Sequence, residues 1–405
     1  MKSDKTTPNV PTLRFAEFSD LWEQKQFDEV LFILVNNTLS RAELNYDNGD
    51  YKDIHYGDVL IKYPAYIDVS SPDVPYINAE NSFAKLNNAL LQNGDVVIAD
   101  TAEDFTVGKA TEIENVNAIK VVAGLHTIPC RPKMRFSPKY LGYYINSPAY
   151  HDQLVPFIQG VKVSSISKTH IKKTFLSFSS LLEQEKIANF LSCLDEKIKV
   201  QNKIIEDLKV LKKELCNRVF SKGSAVRLGE LIEEVTVRNK SNACDNVLSV
   251  SNKMGFIKQS EQFEDRTIAS ENKSNYKVVT KGCFAYNPAR INVGSIALLS
   301  SHSMGIISPM YVCFKAKNVL DSTYLSFYYQ SDFFARELQK KLEGSVRQCL
   351  TYENMREIII PYVNIERQRG IATTLNRFTM LIATEEKCLK ALQKQKSYFL
   401  NAMFI

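Results

Sequence analysis

Side chains that hold nucleic acid have a recognisable chemistry. Arg and Lys meet guanine, Asn and Gln meet adenine, and Lys, Arg, Ser and backbone amides hold phosphates. Three stretches mix these types in loop-like settings. Lys62-Tyr63-Pro64-Ala65-Tyr66 follows the short apolar, strand-like run Val59–Ile61 and joins a cation to aromatics, which nominates Lys62, Tyr63 and Tyr66. Asn287–Asn292 sets a cation among amides, which nominates Arg290 and Asn292. The glycine loops Gln159–Ser165 and Glu343–Gln348 nominate Lys162, Ser164, Arg347 and Gln348. Lys168, Lys172 and Lys173 form a positive run suited to phosphates or solvent rather than to bases.

Bond-breaking chemistry is poorly provided for. The eight cysteines stand singly with no C-x-x-C pair, and the five histidines lack metal-ligand spacing, so neither a zinc site nor a disulfide framework is expected. Neither G-x-G-x-x-G nor G-x-x-x-x-G-K-[ST] occurs. Asn287-Pro288-Ala289-Arg290 has part of the [DN]-P-P-[YF] motif of amino-methyltransferases but lacks the second proline and the aromatic that stacks on a flipped base. Asp195-Glu196-Lys197 falls on a helix flank, where charges are usually solvated. No catalytic residue, metal or cofactor of this chain's own is expected.

The elements that position these residues come in two copies. Tyr140-Leu141-Gly142-Tyr143-Tyr144 returns as Tyr324-Leu325-Ser326-Phe327-Tyr328, and the offset of 184 then holds without a gap to Phe220 and Phe404. Over these 81 pairs there are 16 identities. Upstream the match loosens: Gly94–Ile98 resembles Gly282–Tyr286 at an offset of 188, and Phe27–Val30 resembles Leu228–Leu231 at 201.

The length-locked backs have a physical cause. Apolar residues step by 4 and 3 through Ile187, Leu191, Leu194, Ile198, Ile205, Leu208 and Leu215. The second copy gives Ile371, Leu375, Phe378, Ile382, Leu389, Leu392 and Phe399. An average of 3.5 is the coiled-coil heptad, and one inserted residue would rotate the seam away. Both runs are interrupted at the same two steps, Gln201/Glu385 and Lys212/Lys396. The fronts read as short β-rich runs punctuated by Gly, Asn, Asp and Pro, each followed by a helix over 138–154 or 320–342. The expected architecture is two α/β (α+β) domains joined by a pair of long antiparallel coiled-coil helices, a tandem repeat with pseudo-two-fold symmetry. Its boundaries fall at 1–181, 182–221, 222–364 and 365–405.

Composition fits that plan. The 405 residues are 44% hydrophobic and 24% charged, a globular balance too long for one core. Residues 1–100 hold 8 Lys+Arg against 16 Asp+Glu, whereas the remainder holds 43 against 29. The acidic front would repel phosphates, so much of it is expected to face away from DNA or toward a basic partner. No apolar run reaches membrane-spanning length, and Met1–Pro11 lacks an apolar signal region, so a cytoplasmic location is expected.

Gly282–Ala297 resembles a signature stretch of the specificity (S) subunit of type I restriction–modification enzymes. So do Leu182–Leu191, leading into Leu194-Asp195-Glu196-Lys197-Ile198, and the opening Val10–Phe15 followed by Trp22-Glu23. In the second copy Gln368-Arg369-Gly370-Ile371-Ala372 keeps part of the pattern. The first front departs from it, since Ala99-Asp100-Thr101-Ala102 has no clear likeness to the Asn-Pro-x-Arg stretch. The resemblance implies two target recognition domains that read an asymmetric, bipartite site on double-stranded DNA in a bacterial cytoplasm. It implies docking of methyltransferase (modification) and restriction/translocase subunits, on which S-adenosylmethionine, ATP and Mg would reside. The helices would then serve as a ruler between half-sites. The alternative is a coiled-coil scaffold protein that does not bind DNA.

Overall fold

The 4,3 spacing folds into two long helices, Leu181–Val219 and Ile365–Ala402. In this computed structural model residues 9–78, 90–117, 119–160, 162–252, 254–259, 273–343 and 348–405 are described. Every seam residue is removed from water to some degree. Ile187, Leu191, Leu194, Ile205, Leu375 and Ile382 are buried, and Ile198, Leu208, Leu215, Ile371, Phe378, Leu389, Leu392 and Phe399 are half-buried. Among the described residues no helix is long and apolar enough to cross a membrane.

The chain divides into two compact units, residues 1–201 with 388–405 and residues 202–387. Each front is thus completed by part of both long helices. In the first unit the helices pair antiparallel: Phe190 meets Phe399 edge-on at 4.8 Å, and Lys396 pairs with Asp195 at 2.5 Å. In the second unit Lys209 pairs with Glu386 at 2.6 Å. Phe190 and Leu400, beside the seam, pack on the first unit's core, whereas Leu211 stays exposed.

The first unit has a five-stranded sheet in the order Leu31–Ile33, Thr127–Pro132, Val96–Ala99, Ala110–Glu114 and Tyr66–Asp68. A four-stranded sheet runs Lys120–Ala123, Tyr51–Ile54, Tyr76–Ile77 and Leu44–Asn45. The second unit has two four-stranded sheets. One runs Ile232–Glu234, Val312–Ala316, Cys283–Tyr286, Ile296–Leu298; the other runs Gly255–Lys258, Val247–Ser251, Met304–Ile307, Lys277–Thr280. The repeat reaches individual elements. Glu23–Gln26 pairs with Phe175–Phe178 as Ser224–Arg227 pairs with Ile359–Tyr362, at offsets of 201 and 184 on the two strands. The helix predicted over 138–154 is two, Tyr140–Ile145 and Pro148–Leu154, because Pro148 lacks the N–H to continue the first. The one over 320–342 likewise breaks before Ser331, which caps Asp332–Gln339.

Two expectations are corrected. Val59–Ile61 is not a strand but the end of helix Tyr56–Ile61, whose start is fixed by His55 Nδ1 accepting from the Gly57 amide. That helix turns Tyr63 inward: its ring is 2% exposed among Val59, Ile67 and Val69, so Tyr63 is a core residue rather than a surface contact.

Candidate nucleic-acid interface

The signature stretch of the second unit is a tightly tied loop leaving strand Cys283–Tyr286. Asn287 Oδ1 accepts from the Ala289 amide, and the Asn287 amide donates to the Ser295 carbonyl, each at 3.1 Å. Gly294 sits at φ +87°, where a side chain would strain the backbone. The asparagine and glycine therefore shape the loop and leave Arg290 and Asn292 exposed. Arg290 borders a cleft of about 470 Å³ whose other polar walls include Ser249, Ser251, Asn252, Tyr276 and Tyr311.

The glycine loop joins this stretch. Glu343 and Cys349 exchange both backbone hydrogen bonds, and the Leu350 amide donates to the Pro288 carbonyl at 3.1 Å. Gln348 is exposed beside that anchor, and Arg347 lies outside the described residues. In the first unit Gln159 and Ser165 make the same exchange, and the Ile166 amide donates to the Asp100 carbonyl at 2.9 Å. Asp100 stands 188 residues before Pro288 and Ile166 stands 184 before Leu350, the repeat's own offsets. Ala99–Ala102 is thus the counterpart of the Asn-Pro-x-Arg stretch in backbone though not in side chain. Gly160, at φ +114°, is required here, because a Cβ would lie 1.9 Å from the Val163 carbonyl oxygen. The loop carries Lys162, exposed, and Ser164, half-buried in a short strand paired with Thr101–Ala102.

Of the neighbours of that loop, the sequence reading named Lys168 but missed His126. His126, at φ +55°, places Nδ1 3.3 Å from Asp100 Oδ1 and 3.4 Å from Thr101 Oγ1, with its ring 5.3 Å from Tyr56. Lys168 donates to Asn36 Oδ1 at 3.1 Å. Nothing in residue type marks His126 for this role, because its place is set by a left-handed backbone that the sequence does not announce. Deeper in this unit Asp53 is fully buried. Asn37 Nδ2 donates to its Oδ2 at 2.6 Å, and burial pushes its carboxyl up to about 7.

The other first-unit nominees stand apart. Lys62 pairs with Asp58 at 3.2 Å and donates to Tyr46, in a cluster with Arg41. Tyr66 is half-buried, edge-on to Tyr143 at 6.0 Å, with Lys139 over its ring at 4.4 Å. Among the described residues neither is hydrogen-bonded to the glycine loop.

The Gln-x-x-Ile-Ala pattern belongs to scaffolding. Gln184 accepts from the Ser137 amide and donates to the Ser179 carbonyl. Gln368 accepts from the Asp321 amide and donates to the carbonyls of Val319 and Val363. Each buried amide ties the start of a long helix to the turn before its unit's aromatic helix.

Two domains of one plan, each with the same paired-loop site and each completed by a shared antiparallel helix pair, define a tandem recognition-module architecture. The chain belongs to the type I restriction–modification DNA specificity domain family, whose model matches residues 19–210 and 226–394. It is 22% identical over 431 residues to the putative type I restriction enzyme MjaX specificity subunit of Methanocaldococcus jannaschii, covering 98% of this chain and 95% of that protein. The MjaVIII specificity subunit of the same organism is 24% identical over 278 residues, covering 60% of this chain and 64% of that one. Among solved structures, a type I S subunit from M. genitalium superposes with a TM-score of 0.56 at 14% identity, covering 98% of this chain and 99% of that one. A chain from a study of type I complex assembly and conformational transition gives 0.57 at 14% identity, covering 94% and 96%. These matches favour the specificity-subunit reading over the scaffold alternative.

Proposed function

We propose that the two units read two unlike DNA half-sites, as the non-catalytic specificity subunit of a type I restriction–modification complex. The observation that carries this reading is the paired-loop site itself. The same backbone hydrogen bonds recur in both units, while the side chains they display differ: Asp100, Thr101, Lys162 and Ser164 in one, Arg290, Asn292 and Gln348 in the other. A shared frame with divergent polar tips suits recognition of two sequences by one backbone geometry. Lys62 and Tyr66 remain secondary candidates. Methyltransferase and restriction subunits would supply S-adenosylmethionine, ATP and Mg chemistry. The 39-residue and 38-residue helices, each roughly 57 Å long at ~1.5 Å per residue, would set the unread gap.

Sequencing of methylated adenines in cells carrying this chain and its methyltransferase partner tests the reading. A bipartite motif is expected, with one half changing when one front is exchanged. Methylation indifferent to either front would overturn it. Deleting one heptad from both helices should shorten the gap and leave both half-sites intact.

A further inference from the structure

The repeat breaks at one seam position in a way that leaves a charge behind. In the first unit Lys396 pairs with Asp195, and Tyr143 Oη donates to the same carboxylate at 2.7 Å. At the repeat's offset of 184, Lys212 stands for Lys396, Thr379 for Asp195 and Phe327 for Tyr143. The second unit thus has the lysine without the carboxylate and without the phenol. Thr379 Oγ1 donates back to the Leu375 carbonyl of its own helix at 3.1 Å. Lys212 is half-buried with its ammonium 5.3 Å from the Phe327 ring, and has no ion pair or hydrogen bond among the described residues. Burial lowers its pKa, as expected for an ammonium that has lost water without gaining an anion.

The vacancy is a real space. A pocket of about 290 Å³ is lined by Lys209, Lys212, Lys213, Cys216, Gln330 and Thr379. Lys209 is already engaged by Glu386 at 2.6 Å, and Lys213 by Asp332 at 3.6 Å. One uncompensated ammonium remains, which matches a single negative charge rather than a doubly charged phosphate. We propose that this pocket receives an Asp or Glu side chain of a docking protein subunit, whose carboxylate takes the place that Asp195 fills in the first unit. A half-exposed ion pair is too weak to hold a free carboxylate ion, so the acid must arrive on a molecule that makes further contacts. The inference rests on the subunit-docking part of the proposed function. It adds that docking is not equivalent in the two units, since only the second has the site open.

The test is equilibrium binding of the methyltransferase subunit to the full chain, with four versions compared. Thr379→Asp closes the site from within. It is expected to raise the melting temperature of the free chain and weaken binding about tenfold, and Lys212→Met should weaken it similarly. Thr384→Asp, which adds the same charge to the same helix outside the pocket, should bind as the parent does. In parallel, the Lys212 resonance of the reductively ¹³C-methylated chain should titrate at higher pH once the subunit is bound. Parent binding with Thr379→Asp and Lys212→Met equally tight, or an unmoved Lys212 titration, would overturn the inference alone. Failure of the parent chain to bind would instead remove the docking reading and this inference with it.

Discussion

In the second unit Phe220 packs against Tyr324 and Tyr328, with ring centroids 4.9 and 5.5 Å away. In the first, Phe404 packs against Tyr140 and Tyr144, each at 5.7 Å. These residues stand in the same order at the repeat's offset, and each phenylalanine closes a helix that began beside the other front. The polar layer around the helices does not repeat so faithfully. Asp195 becomes Thr379, Tyr143 becomes Phe327, and Gly142 becomes Ser326. Gly142 has a reason of its own, because a Cβ there would lie 2.0 Å from the Ala65 carbonyl oxygen. The apolar anchors are held fixed because cavities and overpacking in a close-packed interior are costly. Half-exposed charges cost less to change, so divergence collected there and at the loop tips.

The sharpest way to break the comparison is at the anchors. Phe404→Ala and Phe220→Ala should each cost about 3–5 kcal/mol, read by chemical denaturation. Each loss should appear in its own unit; if either substitution is silent, the two anchors are not equivalent. Gln184→Ala and Gln368→Ala come next, at about 1–3 kcal/mol each, because both leave buried backbone groups unpaired. Hydrogen exchange should show loosening at Ser137 in one and at Asp321 in the other. Arg290→Ala should weaken discrimination in one half-site by about 1–3 kcal/mol if it reads a base, and leave the other half-site unchanged. Uniform weakening across sequences would make Arg290 a phosphate contact.

A further effect is one of pH and belongs to the first unit. Asp53 has a folded pKa of about 7, raised above its unfolded value by burial. Its favourable contribution is therefore complete below the unfolded pKa near 4 and is lost as pH rises through about 7. Melting temperatures of the parent should fall relative to Asp53→Asn between about pH 4 and 7 and level off above that. A constant difference over that range would show that Asp53 does not titrate there.

The repeat and the helix seam were legible because they are written in side-chain spacing, and burial of Ile187, Leu191 and Leu375 follows directly from it. The equivalence of Ala99–Ala102 and the Asn287 loop was not legible. It is carried by a backbone amide and carbonyl, which leave no mark on residue type. Tyr63 was misjudged because Val59–Ile61 is too short to show whether its period is that of a strand or a helix. The open site at Lys212 was hidden for another reason. Its missing partner lies on the other long helix, and only the antiparallel pairing reveals which residue should have supplied the acid.

The buried position of Phe404 also governs when the first unit can form. Its core includes Met403 and Phe404, the Leu13 amide donates to the Ala402 carbonyl, and Trp22 lies 6.4 Å from the Phe404 ring. A ribosome that has made the whole first front has therefore not yet made the residues that seal it. A chain released early would expose Trp22, Tyr140 and Tyr144 as an unfilled aromatic socket, a surface open to chaperones and proteases. The last turns of the second long helix are in this way part of the first unit's interior, and a product cut short before Met403 would carry a first front whose core lacks two of its own side chains.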